Sequence, residues 1–550
     1  MKARRDHWPA LWLLLILALV AVVRIRLVSL PLERDEGEYA YAGQLMIEGV
    51  PPYQLAYNMK MPGIYAAYAL IMSVFGQSAA GIHLGFMLVN FGAIVLLYFI
   101  GRRFLDRVGA VAACAAYALL SLSPHVFGLN AHATHFVVLA ALGGTLLLLR
   151  AQENARLAEY FASGALFGVA FLMKQPGGAF AVFGATMIVW AAWRRKPPSW
   201  KTEGSRLAIY SAGVAAPIIL TGLMLWRAGV WDRFWWWTVT YARAHVAALP
   251  WAIGQGRLFG FFKLGYWDVV FWMLALAGLV VLLLRKNEAD EKFFFLSLLF
   301  FSIGAVVPTF HFTAHYFVLM LPVIALLAAR LFAPAASWLA AEPLALARGA
   351  AWIFFSLVCA GVAWSHFDVF LLQSPQEAGA RMFPNNDFQV YPVIANYMKG
   401  RVPSKATLAI LGSEPELPFY LDRRSITGYI YMYDLVQDQP FHEKMEGEMM
   451  SEVEQGRPDF IVFVNNVFSW LPFHREYFDE IQSWAQKLLD SQYQPYGVVT
   501  FSLRKADAML SSPPNQFYWG PDCFQRVPPG HRFVVIYQRK SSKPQPKSAP

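Results

Sequence analysis

Apolar runs of about 20 residues, the length that spans a bilayer, recur from the start of the chain to about residue 371 and then stop. The first, from about Ala10 to Val28, follows Lys2, Arg4 and Arg5. No small-residue cleavage site follows it, so it reads as an anchor and not as a removed signal. Further spans are expected at about 78–100, 108–127, 131–149, 158–173, 177–193, 207–226, 265–284, 293–310, 315–333 and 349–371. The pattern predicts a polytopic α-helical membrane protein of about eleven helices over residues 1–372, with two longer polar intervals, 29–77 and 227–264.

From residue 373 to 550 the pattern changes: Asp, Glu, Pro and Asn become frequent and no span-length run remains. Short β-branched runs at Ala406–Leu411, Phe460–Val464, Gly497–Phe501 and Phe533–Tyr537 alternate with helical stretches such as Phe478–Leu489. That alternation predicts a separate soluble α/β domain. The last ten residues, rich in Lys, Ser and Pro, have the composition of a disordered tail.

Composition sharpens the class. The 550 residues are 57% apolar and 15% charged, against roughly 45–50% and about 25% in soluble domains, and the mean hydropathy is +0.39. A soluble monomer is excluded. The net charge of +10 reflects Lys and Arg held in short loops beside the spans, which sets topology and does not indicate nucleic acid. With the N-terminus placed in the cytoplasm, the same-side loops carry Arg102, Arg103 and Arg107; Arg150 and Arg156; Arg194, Arg195, Lys196, Lys201 and Arg206; Arg285, Lys286 and Lys292; and Arg330 and Arg348. An odd number of spans then puts intervals 29–77 and 227–264 and the C-terminal domain on the extracytoplasmic side of the cell (inner) membrane. Cys114 and Cys359 lie in apolar runs and Cys523 in the tail, which excludes a disulfide framework.

The outer side also carries the candidate chemistry. Leu32-Glu33-Arg34-Asp35-Glu36-Gly37-Glu38-Tyr39 crowds four carboxylates beyond the first span. Asp35 reads as an N-cap with Glu38 as its capping-box partner, opening an amphipathic helix with Tyr39, Ala42, Met46 and Gly49 on one face. A cap also fixes a carboxylate, so this is compatible with a chemical role. Arg24, Arg26, Lys60, His125, His132, His135, Lys174, Arg243, His245, His311 and His315 gather at the outer helix ends. Singly, each is explained by snorkelling or a satisfied core position; together they line one face with cations, which suits a phosphate headgroup. The histidine pairs His132/His135 and His311/His315 lack the carboxylate context of a zinc motif. Trp235, Trp236 and Trp237 fit an interfacial aromatic belt.

Four segments carry a family resemblance: Arg34-Asp35-Glu36-Gly37-Glu38-Tyr39, Lys60-Met61-Pro62-Gly63, Phe171-Leu172-Met173-Lys174-Gln175-Pro176-Gly177, and His315-Tyr316-Phe317 ahead of Leu321-Pro322. In this order the chain resembles the GT-C superfamily of membrane glycosyltransferases, specifically bacterial relatives of protein O-mannosyltransferase and of the lipid A aminoarabinose transferase. Leu411-Gly412-Ser413-Glu414-Pro415-Glu416 is similar to the outer domain of such proteins.

The resemblance implies transfer of a sugar from a polyprenyl-phosphate donor to an envelope glycan, lipid or protein acceptor at the outer membrane surface, with inversion. Asp35 aligns with the catalytic carboxylate, and Glu36 would orient it or bind the acceptor. Lys60 and Lys174 lead the phosphate contacts, with Arg243, His315, Arg24 and Arg26 behind them. Methionine stands between Lys60 and Pro62 where relatives often have proline. Some members use a divalent cation, for which Asp35 and Glu36 offer oxygen ligands; no cofactor is assigned. No glycine-rich nucleotide fingerprint is present. A transporter or a non-catalytic envelope assembly protein remain the alternatives, although a transporter would place polar groups at the bilayer midplane.

Overall fold

The computed structural model describes residues 8–195, 200–248, 250–263, 267–286, 288–307, 310–338, 345–384, 386–471, 475–501, 516–527 and 532–540. Lys2, Arg4, Arg5, Lys196 and the last ten residues lie outside them, as does the side chain of Arg348. The chain divides into two units: Met1–Leu30, Lys60–Gly229 and Leu249–Ala378 form the first; Pro31–Met59, Val230–Ala248 and Gly379–Pro550 form the second.

Among its described residues, the first unit has helices and no strand. Among the described residues, Trp8–Arg26, Ala79–Phe104, Ala133–Asn154, Gln175–Arg194, Trp200–Arg227 and Ala314–Phe332 are long and apolar enough to cross a membrane. Shorter apolar helices run Pro62–Phe75, Arg107–Leu122, Leu157–Met173, Val269–Leu284 and Ala350–Ser365. This is a polytopic membrane protein. The expected interval 29–77 is not a plain loop, because Pro62–Phe75 is a helix of 14 residues, too short to register as a span. Likewise 227–264 holds helices Trp231–Trp235, Ala242–Ala248 and Trp251–Lys263, with a π-helical turn over Trp236–Tyr241. Helix Trp200–Arg227 starts earlier than its apolar run, because Arg195 and Arg206 both pair with the buried Glu203 and stabilise a polar first turn.

The second unit carries a five-stranded sheet: β1 (Leu408–Leu411), β2 (Phe460–Asn465), β3 (Tyr493–Phe501), β4 (Gln516–Trp519) and β5 (Arg532–Arg539), ordered β1-β2-β5-β3-β4. β1 and β2 are parallel, with Ile410 opposite Val462; β2, β5, β3 and β4 pair antiparallel. Parallel pairing needs a crossover, here through helices Glu416–Leu421 and His442–Gly456. Ile394, Leu417, Val462, Val499, Val534 and Ile536 pack its core. Four strands and helix Arg475–Gln492 match the alternation predicted for the tail. β4, whose Gln516 and Trp519 ends give it little β-branched character, was not visible.

Candidate functional site

In the second unit, helix Arg34–Ile47 starts from Glu33 and not from Asp35. Glu33 Oε1 accepts from Glu36 N at 2.9 Å, and Glu36 Oε2 accepts from Glu33 N at 3.3 Å. The capping box thus sits two residues ahead of its expected place, with a carboxylate as cap, and Asp35 falls in the first turn, where the helix dipole favours its charge. Nor is the helix amphipathic: every residue from Glu36 to Leu45 is buried.

Three of the four carboxylates are committed to structure. Glu33 caps, and burial together with the charges of Asp35 and Glu36 pushes its carboxyl well above the usual range. Glu36 is fully buried in the box. Glu38 Oε2 accepts from Tyr431 OH at 2.8 Å and Asn58 Nδ2 at 3.0 Å. Asp35 alone of the four is only half-buried.

The neighbouring residues hold the helix in place. Arg34 donates to Ser413 O at 2.6 Å, Phe468 O at 3.2 Å and Asn386 Oδ1 at 3.3 Å, and lies 3.8 Å from Glu414. Glu414 in turn accepts from Ser469 Oγ at 2.8 Å and Tyr391 OH at 3.2 Å. A Cβ on Gly37 would lie 2.5 Å from Glu416 Cβ, so only glycine allows this approach. Burial, then Glu414, raises the Glu416 carboxyl well above its ordinary value. The segment Leu411–Glu416 is therefore the seat of the Asp35 helix, a role that spacing did not reveal.

In the first unit, segments far apart in sequence converge at helix starts. Helix Leu157–Met173 ends at Lys174, whose backbone is extended, and a 3-10 turn over Gln175–Gly177 opens the next helix. Helix Pro62–Phe75 begins at Pro62, with Met61 as its cap residue. A Cβ on Gly63 would meet Leu172 O at 2.5 Å, so the Lys60 and Lys174 segments touch through that glycine. His132 precedes helix Ala133–Asn154, and the carbonyl of Ala131 is held by Tyr68 OH at 2.7 Å. His315 opens the 3-10 turn Ala314–Met320.

The resulting cluster is compact. Lys174 Nζ lies 3.3 Å from His315 Nε2 and 4.0 Å from the centroid of the Tyr316 ring. The His132 and His315 rings stack at 4.1 Å, 12° from parallel, and Lys60 and His135 act electrostatically on His315. Lys174, His132, His135 and His315 are buried and Lys60 half-buried. Helix N-termini carry partial positive charge, so cations gathered beside them have the chemistry that favours an anion. The ring stack joins His132 to His315, two residues far apart in sequence, a contact that spacing cannot show.

Of the other named cations, Arg24 and Arg26 make their hydrogen bonds elsewhere, although Arg24 also acts electrostatically on His135. Arg24 is buried and donates to Asn90 Oδ1 at 3.2 Å, Gly128 O at 3.2 Å and Ser121 O at 3.3 Å; it braces helices. Arg26 donates to Phe370 O at 3.3 Å, Val369 O at 3.4 Å and Gln373 O, which satisfies a π-helical turn. Arg243 is exposed in the second unit. For a divalent cation, Glu36 has its carboxylate engaged by the capping box, which leaves Asp35 as the ligand of the expected pair.

A polytopic helical unit and a C-terminal α/β unit are the plan of the GT-C membrane glycosyltransferases, and the chain has that fold. ArnT from Cupriavidus metallidurans superimposes with a TM-score of 0.54 at 17% identity, over 96% of this chain and 98% of that one. The same protein bound to undecaprenyl phosphate gives 0.54 at 16%, with the same coverage. The archaeal oligosaccharyltransferase AglB from Archaeoglobus fulgidus, in complex with an inhibitory peptide and a dolichol-phosphate, gives 0.53 at 13%, over 96% of this chain and 76% of that one. Residues 59–226 match the family described as dolichyl-phosphate-mannose-protein mannosyltransferase. That interval includes Lys60, His132 and Lys174. No curated protein matches the chain by sequence.

Proposed function

We propose that the protein transfers a sugar from a polyprenyl-phosphate donor to a hydroxyl of an envelope glycan, lipid or protein, with inversion at the anomeric carbon. The observation that carries this reading is the buried cluster of Lys174, His315 and His132, with Lys60, at the helix starts of the first unit. Such a cluster suits the phosphate of a lipid-linked sugar, and structural relatives are recorded with dolichol-phosphate and undecaprenyl phosphate.

In this mechanism Asp35 takes the proton from the acceptor hydroxyl as its oxygen attacks the sugar carbon. The carbon–oxygen bond to the lipid phosphate breaks, and Lys174, Lys60 and His315 stabilise the departing negative charge. Glu36 holds the first turn and so orients Asp35. Arg24 and Arg26 brace the helices, and Arg243 supplies charge at the exposed edge of its unit. We place residues 373–550 outside the cytoplasm as an acceptor-contacting domain and the N-terminus inside.

The test is transfer of labelled sugar from polyprenyl-phosphate donors to total envelope material by reconstituted protein. Activity that falls in Lys174→Ala at matched folding supports the reading; undiminished transfer in that variant removes the cluster from the mechanism.

A further inference from the structure

We propose that the first unit also holds one acyl chain of an anionic glycerophospholipid, in a groove separate from the Lys174–His315 cluster. A cavity of about 520 Å³ runs between helices Trp8–Arg26, Arg107–Leu122 and Ala345–Ser365, within the roughly 300–1,000 Å³ of ligand pockets. Val20 and Val23 line it from the first helix, small residues Ala118, Ala360 and Ala363 line it from the other two, and Phe370 lines it as well. Every lining residue is apolar.

Length selects the occupant. From Ile16, in the lining, to Arg26 at the helix end the rise is about 15 Å at ~1.5 Å per residue. That is about half of a ~30 Å hydrocarbon core, one leaflet. An acyl chain matches one leaflet, whereas a polyprenyl chain several times longer overruns it.

Charge selects the headgroup. The Arg26 guanidinium lies beside the lining residue Phe370, donating to the carbonyls of Val369, Phe370 and Gln373. Carbonyls accept its hydrogen bonds but leave its positive charge in place, and among the described residues it forms no ion pair; the exposed Glu377 feels that charge at longer range. An anionic phosphodiester at the leaflet surface complements it. None of Lys60, His132, Lys174 and His315 lines the groove, and the adjacent Arg24 is hydrogen-bonded to Asn90, Ser121 and Gly128.

The experiment uses the full chain in phosphatidylcholine–phosphatidylglycerol vesicles containing a trace of phosphatidylglycerol with a diazirine in its acyl chain, followed by peptide mapping after irradiation. Label should concentrate in 16–23, 115–122 and 359–371 and fall several-fold in Ala360→Trp, or in the gentler Ala363→Leu should the first fold poorly. Arg26→Gln should lower the preference for phosphatidylglycerol over phosphatidylcholine about fivefold, the factor expected for roughly 1 kcal/mol per cation near an anionic surface. Even labelling of all lipid-facing helices, or displacement of the label by equimolar polyprenyl phosphate, overturns the proposal. An unchanged headgroup preference in Arg26→Gln overturns its electrostatic part.

Discussion

Lys174 Nζ and His315 Nε2 lie 3.3 Å apart across 141 residues of sequence. A charged lysine has only donors, so in that state Nε2 accepts and a neutral imidazole carries its proton on Nδ1. The pair therefore acts as one unit, with the histidine, itself stacked on the His132 ring, beside an ammonium that also lies over the Tyr316 ring.

Removal of a group that stabilises a leaving anion costs about 10²–10³ in rate, and Lys174→Ala should show that loss in kcat. Because the two side chains touch, the double variant with His315→Ala should lose less than the product of the single losses, with a coupling of about 0.5–3 kcal/mol. Steady-state transfer rates for the four proteins of this cycle check it; strictly multiplicative losses would separate the two residues.

Glu36 is read as a positioning residue acting through the capping box. Glutamine accepts and donates in the same box, so Glu36→Gln should keep most of the transfer activity, while Glu36→Ala should cost on the order of 1 kcal/mol of stability. Paired activity and thermal-unfolding measurements distinguish this from direct contact with the acceptor, which predicts a large activity loss in Glu36→Gln without loss of stability.

Gly37 approaches Glu416 too closely for any side chain. Gly37→Ala should destabilise the α/β unit by about 1–3 kcal/mol through overpacking, read as a lower Tm. A Tm equal to that of the parent would mean that the approach relaxes without cost.

The α/β unit should also lose stability as pH rises. Glu446 lies in the seam between helix His442–Gly456 and helix Arg475–Gln492, which are tied by the His442–Tyr477 ring stack and the Trp484–Glu454 hydrogen bond. Burial, then Glu480 and Glu443, push its carboxyl up from 4.5 to about 7. The folded state therefore holds this proton more tightly than the unfolded state, so stability is full below pH 4.5 and is lost as pH rises toward 7. Glu446→Gln should flatten that slope in denaturant titrations between pH 5 and 8; an unchanged slope assigns it to other groups.

Much of the architecture was legible because bilayer length imposes long apolar runs, and because the β-branched runs of the tail, such as Phe460–Val464, are buried strands. Helix Pro62–Phe75, whose start the Lys60–Gly63 segment marks, is too short to count as a span, and the cap falls on Glu33 although Asp is the commoner cap residue. The lysines of the candidate site stood out as costly charges. Their partners did not: His132 meets His315, and Glu414 seats Arg34, only through tertiary packing, which no spacing rule encodes.

The central claim is that Asp35 is the base, and the most direct measurement compares Asp35→Asn with the parent in transfer of labelled sugar from polyprenyl phosphate to envelope acceptors, at matched folding and expression. The account predicts a loss of about 10²–10⁴ with donor binding retained. Equal transfer by Asp35→Asn would contradict it.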